Sequence, residues 1–125
     1  MGIKVKGLGG WWMLPLLSVA SLAATSSDLR LVEAVKNRDQ EAVRSLLKEH
    51  ADVNTSQADG ATALHWAAHW DDLETAELLI RAGANVNAAN DYGVAPLSLA
   101  CTNGNAAMVE KLLKAGANPN AAQRT

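Results

Sequence analysis

The sequence of 125 residues contains no phenylalanine, one tyrosine and three prolines. Without phenylalanine, the core has to be built from leucine, valine and alanine, which favours thin layers of small helices over a thick sandwich. Charged residues make up 19% of the chain and apolar residues 49%, values typical of a soluble globular protein. The length is that of at most one ordinary domain.

A single cysteine excludes an intramolecular disulfide framework and cannot by itself form a cysteine-based metal site. This residue, Cys101, follows the apolar Leu99 and Ala100, so we expect an inert thiol packed in the core. The net charge of −2 argues against a nucleic-acid partner, because phosphate binding needs clustered lysine or arginine.

The beginning of the chain differs in composition from the rest. Two lysines are followed by an uncharged apolar run, Trp11 to Ala24, in which Ser21 and Ala23 have the spacing of a signal-peptidase site. This order predicts a secretory signal peptide over residues 1–24, cleaved after Ala23 or Ala24. A membrane anchor is the other interpretation, but 14 residues are too few to span a hydrocarbon core of about 30 Å.

Removal of this segment takes away two lysines and leaves a net charge of −4. We therefore expect a mildly acidic protein, exported to a bacterial periplasm or secreted to the cell exterior. A eukaryotic secretory route stays open. After removal of the signal, we expect no attachment to a membrane.

The rest of the chain repeats with a period of 33 residues. The segment "ADVN" begins at Ala51, "ANVN" at Ala84 and "ANPN" at Ala117. The same offset relates further pairs, namely Gly60 and Gly93, Leu64 and Leu97, Ala67 and Ala100, and Gly83 and Gly116. Agreement at this many positions indicates a true internal repeat.

Each unit of the repeat predicts a turn followed by two short helices. The turn glycines tolerate positive φ, Thr62 is expected to N-cap the first helix of one unit, and Pro96 to begin that of the next. The second helices are expected near Leu73–Ala82 and Ala106–Ala115, each followed by a glycine in the left-handed conformation. In the first unit His50 replaces this glycine, so its cap should be weaker.

The segments "DGATALHWAA" and "LLIRAGANVNA", recurring in register, resemble the ankyrin repeat over residues 26–125. The resemblance implies an all-α solenoid of helix–turn–helix units with β-turn tips. The first unit (25–57) is a degenerate N-terminal repeat, the second unit covers 58–90, and the third unit, with the start of a following one, covers 91–125. The third unit keeps apolar residues where a terminal unit is usually polar. This favours the front of a longer array, and the alternative is a partner that covers the last helix pair.

His65 and His69 lie four residues apart in "ALHWAAHW", a spacing that on a helix places both on one face and raises a zinc site as a hypothesis. Only Asp71 and Asp72 are close enough in sequence to add ligands. The resemblance implies instead that His65 is a structural imidazole, bonded near Thr62 and the neighbouring turn. We expect no metal and no cofactor.

The sequence also lacks residue patterns that are typical of catalytic sites. The glycines are explained by turns and caps, and Asp71, Asp72 and Glu74 begin a helix, where acids favour the positive end of its dipole. We expect a protein without enzymatic activity.

The resemblance implies that turn tips and first helices form a concave surface that binds another protein. The resemblance places the contact residues of this surface at the variable positions of the repeat, which here are Trp70, His69, Tyr92, Asp59, Asp91, Asn103 and Val94. The two aspartates would give this surface acidic edges that suit a basic partner, or they are solvated turn residues. The fold does not identify the partner, and we expect the chain itself to be monomeric.

Trp70 carries most of this binding hypothesis. It aligns with Asn37 and Asn103, so packing does not demand a large ring there, and exposed tryptophan is typical of interfaces. The alternative is that Trp70 folds over an adjacent helix, whereas Trp66 aligns with Leu99 and is expected in the core. Two rival functions stay open: a structural segment of a longer array without independent binding, and metal binding through His65 and His69.

Overall fold

The computed structural model describes residues 29–124, so the predicted signal peptide lies outside the described residues. Within this range the chain forms six α-helices: α1 (29–36), α2 (Gln40–Lys48), α3 (Ala63–His69), α4 (Leu73–Arg81), α5 (Pro96–Asn103) and α6 (Ala106–Lys114). A 3-10 helix, Pro119–Arg124, follows them. The all-α prediction is confirmed, since the extended backbone of these residues makes one isolated bridge, between Ser56 and Thr62.

The helices form three successive pairs, one in each unit of the repeat. Thr62 directly precedes α3 and Pro96 begins α5, as the sequence predicts. The second helices, α4 and α6, end within one residue of their predicted bounds. None of the helices between residues 29 and 124 has both the length and the apolar character needed to cross a membrane.

The second helix of every pair begins with the same side-chain cap. Asp39, Asp72 and Asn105 each accept a hydrogen bond from the backbone N–H three residues further on, at 3.1 Å in all three units. The cap satisfies one of the N–H groups that the first turn of a helix leaves without an intrahelical partner. Asp72 is thus the N-cap of α4, and Asp71 lies before it with φ of +57°. The interaction with the helix dipole that the sequence predicts for Asp71, Asp72 and Glu74 stays a prediction.

The core consists of columns of equivalent residues from successive units. Three columns are buried in all units: Leu31, Leu64 and Leu97; Ala34, Ala67 and Ala100; and Leu46, Leu79 and Leu112. α3 packs against both α4 and α5, and α5 against α6. The alanine column allows the first helices of adjacent units to approach closely, which positions the turn tips side by side.

Asparagines in the loops join each unit to the next. Asn54 accepts a hydrogen bond from the N–H of Asn85 at 2.7 Å and donates one to the carbonyl of Gly83 at 3.2 Å. Asn87 makes the same two bonds one period later, to Asn118 at 2.7 Å and to Gly116 at 3.1 Å. The last residue of the "ADVN" and "ANVN" segments is therefore a repeated connection between units.

Cys101 does not occupy the buried position that the sequence predicts, because its side chain is exposed. The equivalent residue of the second unit, Ala68, is fully buried in α3, against which α5 packs. Burial at this position is supplied by the unit that follows, and within residues 29–124 no further helix pair follows α5 and α6.

Left-handed residues end the second helices, and in the first unit this residue is not glycine. Gly83 and Gly116 have φ of +97° and +99°, whereas His50 has φ of +61°. A side chain in this conformation costs about 1–2 kcal/mol because Cβ crowds the following carbonyl.

We expect His50→Gly to raise the free energy of unfolding by about 1 kcal/mol, measured by urea denaturation. Gly83→Ala, at the same position of the second unit, should lower it by a similar amount. His50→Ala keeps the Cβ and is the matched control; a gain as large as that of His50→Gly would contradict the explanation.

Candidate protein-binding surface

Three rings at the end of α3 form an aromatic cluster, which consists of Trp66, His69 and Trp70. The indole rings of Trp66 and Trp70 stack, with centroids 6.3 Å apart and planes at 28°. The imidazole of His69 meets both rings edge-on, at 5.5 Å from Trp66 and 4.7 Å from Trp70. Spacings of this kind are favourable for aromatic pairs, so the rings support one another in a fixed arrangement.

Two basic side chains from the first unit lie over the tryptophan rings. The ammonium of Lys36 is 5.5 Å from the centre of the Trp66 ring, and the guanidinium of Arg38 is 5.5 Å from that of Trp70. These are cation–π distances. The aromatic cluster thus connects the first and second units and carries a basic edge.

Trp70 combines the two roles that the sequence analysis set against each other. Its indole N–H donates to the carbonyl of Lys36 at 3.1 Å, while 37% of the residue remains exposed. Asn103, one period later, donates from its amide to the carbonyl of His69 at 3.0 Å. Both side chains therefore satisfy a free carbonyl at the end of the preceding unit's first helix, and Trp70 additionally presents a ring.

Trp66 is half-buried rather than part of the core, and its indole N–H donates to the side chain of Gln57 at 3.2 Å. The sequence contains the signal for this placement. One period before Trp66 lies Glu33, a charged and exposed residue, so the position does not require burial. Trp66 belongs to the candidate surface together with Trp70.

A small groove of about 200 Å³ runs from the aromatic cluster toward the turn tips. Trp66, His69 and Leu99 line it on the helix side, and Asp59 and Asn90 line it on the turn side. The structure thus brings Asp59 and His69 to one depression, although they come from different parts of the second unit.

The turn tips of adjacent units are hydrogen-bonded to each other, with the N–H of Asp91 donating to the carbonyl of Asp59 at 2.8 Å. Gly60 lies beneath the third unit's turn: it has φ of +85°, and a Cβ there would be 3.0 Å from the Cα of Asn90. Tyr92 projects from this second tip with 81% of its surface exposed.

The carboxylate of Asp59 is occupied within its own turn. It accepts hydrogen bonds from the N–H of Ala61 at 3.0 Å and the amide of Gln57 at 3.1 Å, and these bonds hold the pKa of Asp59 below its ordinary value of 3.8. This geometry supports the turn role of Asp59. Asp91 is exposed at the adjacent tip.

Asn103 and Val94 contribute to packing between units more than to a free surface. The amide of Asn103 also donates to the carbonyl of Ala68 at 3.1 Å, so its donors are engaged at the end of α3. Val94 is half-buried, and its carbonyl accepts a hydrogen bond from His65 at 2.8 Å.

His65 has the structural role that the resemblance implies, since it is only 3% exposed. Its Nδ1 accepts a hydrogen bond from the N–H of Thr62 at 3.0 Å, so Nε2 carries the hydrogen and donates to Val94 in the third unit. Both ring nitrogens are therefore engaged, whereas His69 is exposed. The two imidazoles do not share a free face, and no group of three or more His, Cys, Asp or Glu in residues 29–124 is arranged to hold a metal ion.

We expect protonation of His65 to destabilise the fold. Burial lowers the pKa of His65 below its ordinary value of 6.5, and a second proton would face the Thr62 N–H. The pKa of His65 is lower in the folded than in the unfolded state. The stabilisation that its neutral imidazole gives to the fold is therefore complete above a pH of about 6.5, and it is lost as the pH falls toward the folded-state pKa.

Urea denaturation between pH 7.5 and 5.5 measures this effect as a falling free energy of unfolding. His65→Asn should have a lower free energy of unfolding than the parent at pH 7.5, and that free energy should change less with pH. In His69→Ala the free energy of unfolding should change with pH as it does in the parent. An unchanged slope in His65→Asn would show that another group is responsible.

The comparisons with known proteins agree with this geometry. The family model described as ankyrin repeats in three copies matches residues 31–123. The curated proteins contain no match to the chain. Since the family match covers most of the chain, the chain belongs to the ankyrin-repeat family.

Proposed function

We propose that this protein is an exported, non-catalytic binding module that holds a protein partner against its turn tips and first helices. Ankyrin repeats are generally protein–protein interaction modules. The contact surface is centred on the aromatic cluster and continues over Tyr92 at the adjacent turn tip. Asp91 lies at its edge.

The observation that carries the proposal is the exposed face of Trp70. Its N–H is already bonded to Lys36, so the ring is held in place before any partner arrives. A rigid, partly exposed tryptophan loses little conformational entropy on binding and gains contact area. Residues of this kind dominate the binding energy of interfaces.

The edges of this surface carry charges of both signs. Lys36 and Arg38 lie over the rings and supply a basic edge, while Asp91 is exposed at the turn tip. The carboxylate of Asp59 is held within its own turn by hydrogen bonds that lower its pKa, so it keeps its negative charge and adds to the acidic edge. A partner would place an apolar or aromatic side chain in the groove, with acidic groups near Lys36 and Arg38.

The rival functions are supported less well by the geometry. A metal-dependent role through His65 and His69 would require His65 to give up its bonds to Thr62 or Val94. A purely structural role explains why the N–H of Trp70 is bonded to Lys36. It does not explain why the rings of Trp70 and Tyr92 are exposed.

Trp70→Asn separates binding from folding, because asparagine is the residue that the repeat itself uses at positions 37 and 103. The amide can replace the indole N–H at Lys36, so the helical content and unfolding midpoint should stay close to the parent. Binding should weaken roughly 30-fold, equivalent to about 2 kcal/mol.

The measurement is capture of a partner from extract of the source organism, followed by titration of the captured protein against both variants. Arg81→Ala removes an exposed side chain from α4 and is the matched control that should bind like the parent. If Trp70→Asn folds and binds as tightly as the parent, the aromatic cluster is not the contact surface. If the parent captures nothing specific, the structural-segment function is favoured.

Export is tested by the mass of the protein recovered from intact cells that express the full chain. We expect a mature form that begins at Ala24 or Thr25, because cleavage follows Ala23 or Ala24. Leu17→Arg interrupts the apolar run and should leave the uncleaved chain inside the cell. Uncleaved parent protein in the same fraction as this variant would contradict export.

A further inference from the structure

The small groove beside the aromatic cluster, which we call the inter-unit groove, is built by the second and third units together. Trp66 and Leu99 hold the same position in successive units and both line it, while Asp59 and Asn90 line its turn side. Its volume is about 200 Å³, whereas a cavity of about 150 Å³ binds one benzene molecule. The inter-unit groove therefore has room for a single six-membered ring with a small substituent.

Asp59 supplies a hydrogen-bond acceptor at the turn side of this groove, because its carboxylate uses only one oxygen within the turn. Oδ1 accepts from the N–H of Ala61 at 3.0 Å and from the amide of Gln57 at 3.1 Å, and Oδ2 accepts no hydrogen bond from residues 29–124. These bonds hold the pKa of Asp59 below its ordinary value of 3.8, so the carboxylate is ionised at neutral pH. An ionised acceptor beside apolar walls favours a guest that carries a hydrogen-bond donor.

One chain of hydrogen bonds holds this acceptor and the aromatic wall in a fixed relation. The indole N–H of Trp66 donates to the side-chain oxygen of Gln57 at 3.2 Å, and the amide of Gln57 donates in turn to Asp59. The ring and the carboxylate are thus in place before a guest arrives, which lowers the entropy lost on binding.

The charges around the groove favour a neutral guest over a cationic one. No lysine or arginine among residues 29–124 lines the groove itself. The ammonium of Lys36, however, lies 5.5 Å from the centre of the Trp66 ring. Arg38 lies at the same distance from the ring of Trp70. A cationic side chain placed against these rings would meet like charges, which oppose its attraction to Asp59.

A purely apolar ring fits the groove less well than a phenol. Phenylalanine would fill the space but would cover the carboxylate of Asp59 without offering it a donor, which costs desolvation free energy. Tyrosine has the same six-membered ring and adds a hydroxyl donor at its far end.

We propose that the inter-unit groove takes a tyrosine side chain of the partner protein, with the ring against Trp66 and Leu99 and the hydroxyl donating to Oδ2 of Asp59. This inference rests on the proposed function and specifies the residue that the partner inserts. Acidic residues next to this tyrosine lie near Lys36 and Arg38.

Titration of the full chain with N-acetyltyrosine amide, followed by the NMR signals of the indole N–H groups, tests the assignment. We expect a Kd in the millimolar range, as for a ligand of this size. N-acetylphenylalanine amide should bind about fivefold more weakly because it lacks the hydroxyl, and N-acetylarginine amide should also bind more weakly. Equal affinities for the tyrosine and phenylalanine amides, or tighter binding of the arginine amide, overturn the proposal.

Asp59→Asn tests the hydroxyl contact while keeping the turn. The amide oxygen of asparagine can still accept from the N–H of Ala61, as that of Asn90 accepts from the N–H of Tyr92 at 2.9 Å in the adjacent turn. The preference for tyrosine over phenylalanine should fall to about twofold or less, because the acceptor is no longer charged.

Asp52→Asn is the matched control for this charge change. Asp52 accepts a hydrogen bond from the N–H of Asn54 in an exposed loop, and the repeat has asparagine at the equivalent position 85, where it makes the same bond. This variant should keep the preference of the parent. A preference for tyrosine that survives in Asp59→Asn overturns the proposed contact.

Leu99→Trp tests the location, because it fills the groove with the residue that the repeat itself has at position 66. Binding of tyrosine amide should become too weak to measure, while the helical content and unfolding midpoint stay close to the parent. Arg81→Ala, on α4, should bind like the parent. Unchanged binding in a folded Leu99→Trp variant would place the tyrosine elsewhere and overturn the proposal.

The residues next to the tyrosine distinguish a protein partner from a free phenol. A short peptide with glutamates on both sides of tyrosine should bind about tenfold more tightly than tyrosine amide at low salt, and Lys36→Ala should remove part of this gain. An acidic peptide that binds no more tightly than p-cresol would favour a free phenol and overturn the partner assignment. None of these titrations uses a captured partner, so their failure leaves the proposed function to be decided by the Trp70→Asn experiment.

Discussion

The packing of each helix pair against its neighbour is the interaction on which this structure depends. The helices have seven to nine residues where their bounds are defined, and helices this short are not stable in isolation. Columns of leucine and alanine from successive units remove their apolar faces from water together. The asparagines of the loops and the carbonyl caps at the ends of first helices hold the units in register, so packing and hydrogen bonding repeat with the same period.

This constraint acts on some positions of each unit and leaves others free. Position 70 must supply a hydrogen-bond donor to the preceding unit, and asparagine meets that requirement at position 103. Tryptophan meets it with its indole N–H and still presents a ring beside His69 and Trp66. Packing and recognition are therefore combined in one side chain, and the exposed ring marks the surface that goes beyond what the scaffold requires.

The last described helix pair leaves residues open that a neighbouring unit covers one period earlier. Helix α6 offers Val109 and Leu113 beside the exposed Cys101. In the second unit the equivalent residues are covered, so the difference is one of neighbours and not of residue type.

Local sequence predicted the repeat register, the left-handed Gly83 and Gly116, and the bounds of the second helices α4 and α6 to within a residue. These features depend on interactions between residues close in the chain, so a pattern of glycine, proline, aspartate and apolar spacing is enough to predict them. Part of the candidate surface followed as well, because Trp70 and Tyr92 occupy positions where the repeat does not demand a large ring.

Tertiary structure decided which side chains are free. The donors of Asn103, the carboxylate of Asp59 and the imidazole of His65 are all engaged, whereas Cys101 is exposed and Trp66 joins the surface. For Asn103, His65 and Cys101 the deciding neighbour belongs to the unit before or after. One unit looks like the next in sequence, but each residue's burial depends on whether a neighbouring unit lies beside it, and that is a property of the packed stack rather than of the pattern.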